Sequence, residues 1–283
     1  MSIKTVGIVG AGTMGNGIAQ AFAVNGFQVK MSDIGQEQVD RGRKAIEKSL
    51  DRLVSKDKLS VDEHGAALQR VEGVVGLEPL ADCDLVVEAA TEREELKLEL
   101  FRKLDGLVGK NVVLASNTSS ISLTRIAAAT SNPQRVIGMH FFNPVPMMKL
   151  VEVIRALQTS DAVYEQIEAL TRQLGKEPVE VKDSPGFAVN RILVPMINEA
   201  CFACAEGLAA PEDIDKGMQL GANHPMGPLA LADLIGLDTC LEVMKVLHTS
   251  LGDPKYRPSP LLQQMVDAGY LGRKAGRGFY VYD

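Results

Sequence analysis

The feature that most constrains this chain is a glycine cluster, Gly10-Ala11-Gly12-Thr13-Met14-Gly15. It lies between an apolar β-branched run, Thr5 to Val9, and a helical pattern carried by Ile18, Ala19, Phe22 and Ala23. Gly10 allows a tight turn, Gly12 lets a backbone approach a pyrophosphate, and Gly15 permits close helix–strand packing, with the phosphates at the positive end of the helix dipole. Asn25-Gly26 stops the helix, a second strand runs from Phe27 to Met31, and Ser32-Asp33 ends it. Strand, glycine turn, helix, strand and acid is the order of a βαβ dinucleotide unit.

Asp33 stands where an acid accepts hydrogen bonds from the adenosine ribose, and it bears on which nicotinamide cofactor fits. A 2′-phosphate beside it would feel a repulsion of about 4 kcal/mol at 4 Å and an effective dielectric near 20. Ile34, Gly35 and Gln36 bring no arginine to offset that charge. The expected cofactor is therefore NAD.

Beyond Asp33 the periodicities alternate. Val39, Ile46, Leu50 and Leu53 recur at helical spacing through a basic stretch with Arg43, Lys44, Lys48, Arg52, Lys56 and Lys58. Strands are predicted at Leu85 to Glu88, Val112 to Ser116 and Val136 to His140, with helices at Glu94 to Leu107 and Ser122 to Thr130. Such alternation argues for a mostly parallel sheet. At Asp183-Ser184-Pro185-Gly186 a turn signal gives way to long helical stretches: Phe187 to Glu206, Pro211 to Leu220, Leu229 to Leu251 and Pro260 to Ala268. Pro195 is expected to kink or interrupt the first of these. The expected fold class is α/β, with a Rossmann-type doubly wound sheet over residues 1–183 and an all-helical domain over residues 184–283.

Composition narrows the class of ligand. The 283 residues carry a net charge of −6 with cations and acids interspersed, which disfavours nucleic acid and favours a small-molecule partner. Met1-Ser2-Ile3-Lys4-Thr5 runs straight into a strand-like segment without the layout of a signal peptide, and no apolar run approaches a membrane span, so the expected location is the cytoplasm. Of the four cysteines, only Cys201 and Cys204 have motif spacing, and no further Cys or His follows to complete a zinc site. No metal is expected.

Hydride transfer to a ketone leaves an alkoxide, so a proton carrier must stand beside the reacting carbon, and histidine suits that task near neutral pH. Among His64, His140, His224 and His248, His140 ends a sheet strand, where doubly wound folds place their ligands. Glu152 lies in the apolar run Leu150 to Ile154, and a carboxylate in such a run needs a partner. Pattern alone leaves two readings open: a His140–Glu152 dyad, or a structural histidine and an edge-strand glutamate. The cluster Ser116-Asn117-Thr118-Ser119-Ser120 also closes a strand, as helix caps or as ligands of the reacting centre. A Ser119-His140-Glu152 hydrolase triad is disfavoured because no G-x-S-x-G elbow surrounds Ser119.

Taken together, these segments resemble the 3-hydroxyacyl-CoA dehydrogenase family over essentially the whole chain. The marks are the glycine turn, Val87-Glu88-Ala89-Ala90, Ala115 to Ser120, Gly138-Met139-His140-Phe141-Phe142-Asn143-Pro144-Val145-Pro146, Asp183 to Arg191, and His224-Pro225-Met226-Gly227-Pro228. The resemblance implies that His140 is the acid/base, Glu152 its orienting partner, and Ser119 and Asn190 polar contacts of the substrate. It implies that Glu92, Lys97, Asn117, Ser119 and Asn143 join Gly10, Gly12, Thr13, Met14, Gly15 and Asp33 around NAD. Ser49 and Lys56 would bind the coenzyme A portion, which also suits a basic helix facing phosphates. A homodimer through the helical domain and a short 3-hydroxyacyl-CoA/3-ketoacyl-CoA substrate pair are implied as well.

Overall fold

The computed structural model describes residues 3–282. Met1 and Ser2, read above as leading into the first strand, lie outside the described residues. The chain divides into two units, Met1–Ser184 and Pro185–Asp283.

The first unit runs β1 (Thr5–Val9), α1 (Thr13–Val24), β2 (Gln28–Asp33), α2 (Gln36–Val54), α3 (Val61–Gln69), β3 (Val71–Val75), β4 (Leu85–Glu88), α4 (Glu94–Leu107), β5 (Val113–Ser116), α5 (Leu123–Ala128), β6 (Val136–Phe141), β7 (Leu150–Arg155), α6 (Asp161–Gln173) and β8 (Glu177–Lys182). The strands form one sheet in the order β3-β2-β1-β4-β5-β6-β7-β8. The chain winds from β1 outward to β3, then returns beside β1 with β4 and winds the other way. A doubly wound sheet of this kind takes its ligand where the winding reverses, outside the carboxyl ends of β1 and β4. All pairings are parallel except β6 with β7. The last residues of β1, β2, β4, β5 and β6 therefore share one rim.

Local sequence explains the elements. Val6, Ile8, Met31, Leu85 and Val87 are fully buried between helix layers, as strands covered on both faces require. Along α1, Ile18 and Phe22 are buried against this sheet, and along α2 the buried positions are Val39, Gly42, Ile46 and Leu50, the apolar stripe read in the sequence. Lys56 and Lys58 lie past the end of α2. Two further pairs of elements, α3 with β3 and α6 with β8, had weak signals. Gly65 and a short length blur α3, although the Ser60–Glu63 capping box that starts it is legible. Pro178 and mostly polar, exposed residues hide the edge strand β8.

The second unit runs α7 (Val189–Ala205), α8 (Pro211–Ala222), α9 (Pro228–Ile235), α10 (Leu237–Leu251) and α11 (Pro260–Asp267). Of the two outcomes expected at Pro195, a kink or a break, the break does not occur: helix α7 continues through it, and its packing on α9, α10 and α11 offsets the lost backbone bond. One expectation is corrected. The stretch Leu229 to Leu251 is two helices, because Gly236 adopts φ +104°, a conformation that stops α9 before α10 begins. Buried aspartates tie this unit together. Asp215 accepts the Leu229 and Ala230 N–H groups at the start of α9 and the Tyr280 hydroxyl, while Asp233 accepts the Phe279 and Tyr280 N–H groups and the Tyr282 hydroxyl. Among the described residues no helix is long and apolar enough to cross a membrane.

Candidate active site

The glycine turn follows β1 directly. Gly10 has φ +104°, and a Cβ there would lie 2.6 Å from the Ala89 carbonyl oxygen after β4, so the turn sits against the neighbouring strand end. Gly12 precedes α1, no side chain caps the helix, and a Cβ on Gly12 would meet nothing within 4 Å. The first-turn N–H groups and an unobstructed backbone are what a pyrophosphate needs. At the end of β2, Asp33 accepts the Ala11 N–H at 2.7 Å through Oδ2 and the Ile34 N–H at 2.7 Å through Oδ1. Each oxygen retains acceptor capacity for a ribose hydroxyl. Thr13 and Met14 begin α1, with Thr13 exposed and Met14 half-buried. These residues fit a dinucleotide.

Two strands along the same rim, β6 pairs with β7 antiparallel, with His140 directly opposite Glu152. Directly opposed residues of an antiparallel pair project from the same face with Cβ atoms about 4.5–5.5 Å apart, and here the His140 Nδ1 lies 2.8 Å from the Glu152 Oε2. Glu152 is fully buried and His140 is 6% exposed. The strand carrying Glu152 is internal, flanked by β6 and β8, which removes the edge-strand alternative. Asn117, just past β5, accepts the Phe141 N–H at 2.8 Å through Oδ1 and so pins the end of the histidine strand. Lys176 holds the loop beyond it, its ammonium donating to the Val145 and Met148 carbonyls at 2.7 and 2.8 Å. Asn143 lies exposed in that loop.

Between these two clusters stands a third, of which the sequence reading named Glu92 and Lys97 as site residues but not Glu88. Glu88, the last residue of β4, is fully buried. It accepts bonds from the Ala90 N–H, the Lys97 ammonium at 2.6 Å and the Ser116 hydroxyl at 2.6 Å. Lys97, 1% exposed, also reaches Glu92 at 3.2 Å. Glu92 in turn accepts the Thr118 hydroxyl and the Ser119 and Ser120 N–H groups. The chain Ser116–Glu88–Lys97–Glu92 thus shapes the 116–120 turn. The signal for Glu88 was the one used for Glu152, an acid ending an apolar run.

Burial pushes the Glu92 carboxyl up, but the Lys97 charge and the hydrogen bonds from Thr118 and Ser119 outweigh it and hold the group below its ordinary 4.5. A depressed carboxyl contributes stability that is present above its unfolded-state value and lost as pH falls through the folded one. A carbon-NMR titration of the side-chain carboxyls is therefore expected to place the Glu92 midpoint below that of a free glutamate, with the protection of the Ser119 amide lost at the same midpoint.

Ser49 is half-buried on α2 and Lys56 exposed just after it. Asn190 is in the first turn of α7, in the second unit. One residue was overlooked: Arg41 of α2 lines the same cavity as Asp33. Among the described residues no cluster of His, Cys, Asp or Glu is arranged to hold a metal.

A glycine turn at the switch point suits a dinucleotide, and a buried histidine–carboxylate pair lies further along the same rim; the arrangement fits the class of nicotinamide-dependent oxidoreductases. Residues 5–184 match the family model for the 3-hydroxyacyl-CoA dehydrogenase NAD-binding domain, and residues 186–282 match that for its C-terminal domain. The chain is 53% identical to a probable 3-hydroxybutyryl-CoA dehydrogenase of Bacillus subtilis, covering 100% of this chain and 99% of the relative. It is 51% identical to a 3-hydroxybutyryl-CoA dehydrogenase of Bradyrhizobium diazoefficiens, covering 99% and 96%. The crystal structure of (S)-3-hydroxybutyryl-CoA dehydrogenase from Ralstonia eutropha superimposes with a TM-score of 0.97 at 61% identity, each chain covered in full. The chain belongs to the 3-hydroxyacyl-CoA dehydrogenase family, and its cofactor is NAD.

Proposed function

We propose that the protein interconverts short 3-hydroxyacyl-CoA and 3-ketoacyl-CoA thioesters, with 3-hydroxybutyryl-CoA and acetoacetyl-CoA as the pair turned over best. The observation that carries the reading is the buried His140–Glu152 pair, 2.8 Å apart at the rim that bears the glycine turn. The named activities of the relatives in Bacillus subtilis and Bradyrhizobium diazoefficiens support the choice of substrate.

Bound NAD(H) supplies the hydride acceptor in oxidation and the donor in reduction. With Nδ1 facing Glu152, proton transfer falls to Nε2 of His140, which gives a proton to the C3 oxygen in reduction and takes it back in oxidation. The Glu152 carboxylate fixes the ring orientation and stabilises the imidazolium that the oxidation direction creates. Ser119, whose backbone Glu92 holds, and Asn190 bind the reacting oxygen. Lys97 acts through Glu92 on the cofactor side, while Ser49 and Lys56 take the coenzyme A portion. The protein acts as a homodimer joined through the helical unit, where Ile192, Leu208, Leu220 and Leu234 present exposed apolar surface; light scattering is expected to give twice the chain mass. A cytoplasmic location accords with four free cysteines.

The test follows NADH absorbance with purified protein and acetoacetyl-CoA, then with free acetoacetate. Oxidation of NADH on the thioester alone is the expected result. Failure of every acyl-CoA chain length while NADH still binds would overturn the activity and leave the cofactor site standing.

A further inference from the structure

The residue overlooked in the sequence bears on cofactor choice. Proximity in sequence to Asp33 suggested that no arginine is at hand to meet a 2′-phosphate, since the residues that follow are Ile34, Gly35 and Gln36. Helix α2 changes that. Gly42 lies so close to the glycine turn that a Cβ there would stand 2.8 Å from the Ala11 carbonyl oxygen. The residue before it, Arg41, is thereby brought to a cavity of about 240 Å³ whose walls include Gly12, Asn16, Asp33 and Gln38. The neighbouring Arg43 points elsewhere, its side chain lying over Gly73 of β3.

We propose that Arg41 is a specificity-determining residue of the dinucleotide site: a guanidinium poised to bind a 2′-phosphorylated adenosine, held in check by the Asp33 carboxylate and the Glu37 ion pair. The proposal rests on this cavity being the adenosine end of the NAD site. Asp33 and Arg41 place opposite charges on one wall system, so a free 2′-hydroxyl is accepted by the carboxylate, whereas a 2′-phosphate meets attraction and repulsion together. Glu37, one turn earlier on α2, lies 3.2 Å from the Arg41 guanidinium. Both side chains are largely exposed, 65% and 79%, so the pair is weak and the guanidinium is able to turn. A planar, permanently charged fork suits a phosphate better than a lysine would. Selectivity for NAD accordingly resides in one carboxylate rather than in the lack of a phosphate ligand.

Calorimetric binding of ADP and of 2′,5′-ADP tests this without turnover. Wild type is expected to prefer ADP. In Asp33→Asn the affinity for 2′,5′-ADP relative to ADP should rise by about tenfold or more, the scale of a hydrogen bond to a charged group. Adding Arg41→Gln should remove that gain in the ratio of 2′,5′-ADP to ADP affinity, and the gain should shrink as salt is raised. Asp33→Ser is the second route should the asparagine variant fail to fold. Arg41→Gln alone should weaken the residual 2′,5′-ADP binding of the wild type. Equal 2′,5′-ADP affinity with and without Arg41 would overturn the proposal and leave the NAD site intact. Loss of ADP binding in the wild type would overturn the adenosine assignment of the cavity and the proposal with it.

Discussion

The His140→Ala variant is expected to retain NADH affinity and lose about 10²–10⁴-fold in kcat, the range that positioned acid/base groups contribute. Its neighbour separates proton transfer from ring orientation. Glu152→Gln keeps an oxygen that accepts the Nδ1–H bond but deletes the negative charge beside the ring. It should therefore cost less than the histidine deletion, and the loss should fall mainly on kcat. Glu152→Ala removes both the charge and the anchor, and because Glu152 is fully buried, that variant also empties space in the sheet layer. Steady-state kinetics on acetoacetyl-CoA with NADH, together with NADH titration of each variant, measures these outcomes. Near-wild-type kcat in folded His140→Ala would sink the acid/base role while leaving the family assignment untouched.

The dyad was legible from pattern as one of two open readings, and the reason pattern alone did not decide between them is topological. Residue separation along the chain does not tell whether β7 lies beside β6 or elsewhere, and only the antiparallel turn-back opposes His140 to Glu152. The glycine turn was fully legible because its chemistry is local: strand, turn, helix and acid follow within one βαβ unit. By contrast, the Glu88–Lys97–Glu92 chain joins the ends of β4 and β5 through the first turns of α4. Pattern alone does not join them, and only the fold buries Glu88 and Lys97 against each other. Breaking such a buried pair costs about 3–5 kcal/mol because one charge is left uncompensated, so these residues bear on stability as well as on the site. The same blindness to non-local packing hid Arg41, which the Gly42 contact with Ala11 brings to the Asp33 cavity from eight positions further along. Helical breaks fared unevenly: Gly236 divides α9 from α10 through a positive φ that composition does not reveal, while Pro195 sits inside α7 without breaking it.

Two neighbouring glycines allow the fold and the cofactor contact to be tested apart. A Cβ on Gly15 would stand 1.8 Å from the Gly10 carbonyl oxygen. Relief by moving Gly10 is blocked, since its N–H is bonded to the Ser32 carbonyl at 2.8 Å and its own α-carbon faces Ala89. Relief by moving α1 would disturb Ile18 and Phe22, both fully buried. Gly15→Ala should therefore lose about 1–3 kcal/mol or more of stability, as overpacking does, and lose NADH binding together with it. At Gly12 the situation is reversed. Its φ of −66° is open to any L-residue and its added Cβ meets no protein atom within 4 Å, so Gly12→Ala should melt like the wild type. That methyl would instead occupy the space through which the backbone meets the pyrophosphate, and NADH affinity should fall by about tenfold or more, the loss of one hydrogen bond to a charged group. Thermal melts and fluorescence titration with NADH on the two variants decide the matter. Unchanged NADH affinity in Gly12→Ala would mean that the pyrophosphate does not cross this turn, whatever Gly15→Ala does to stability.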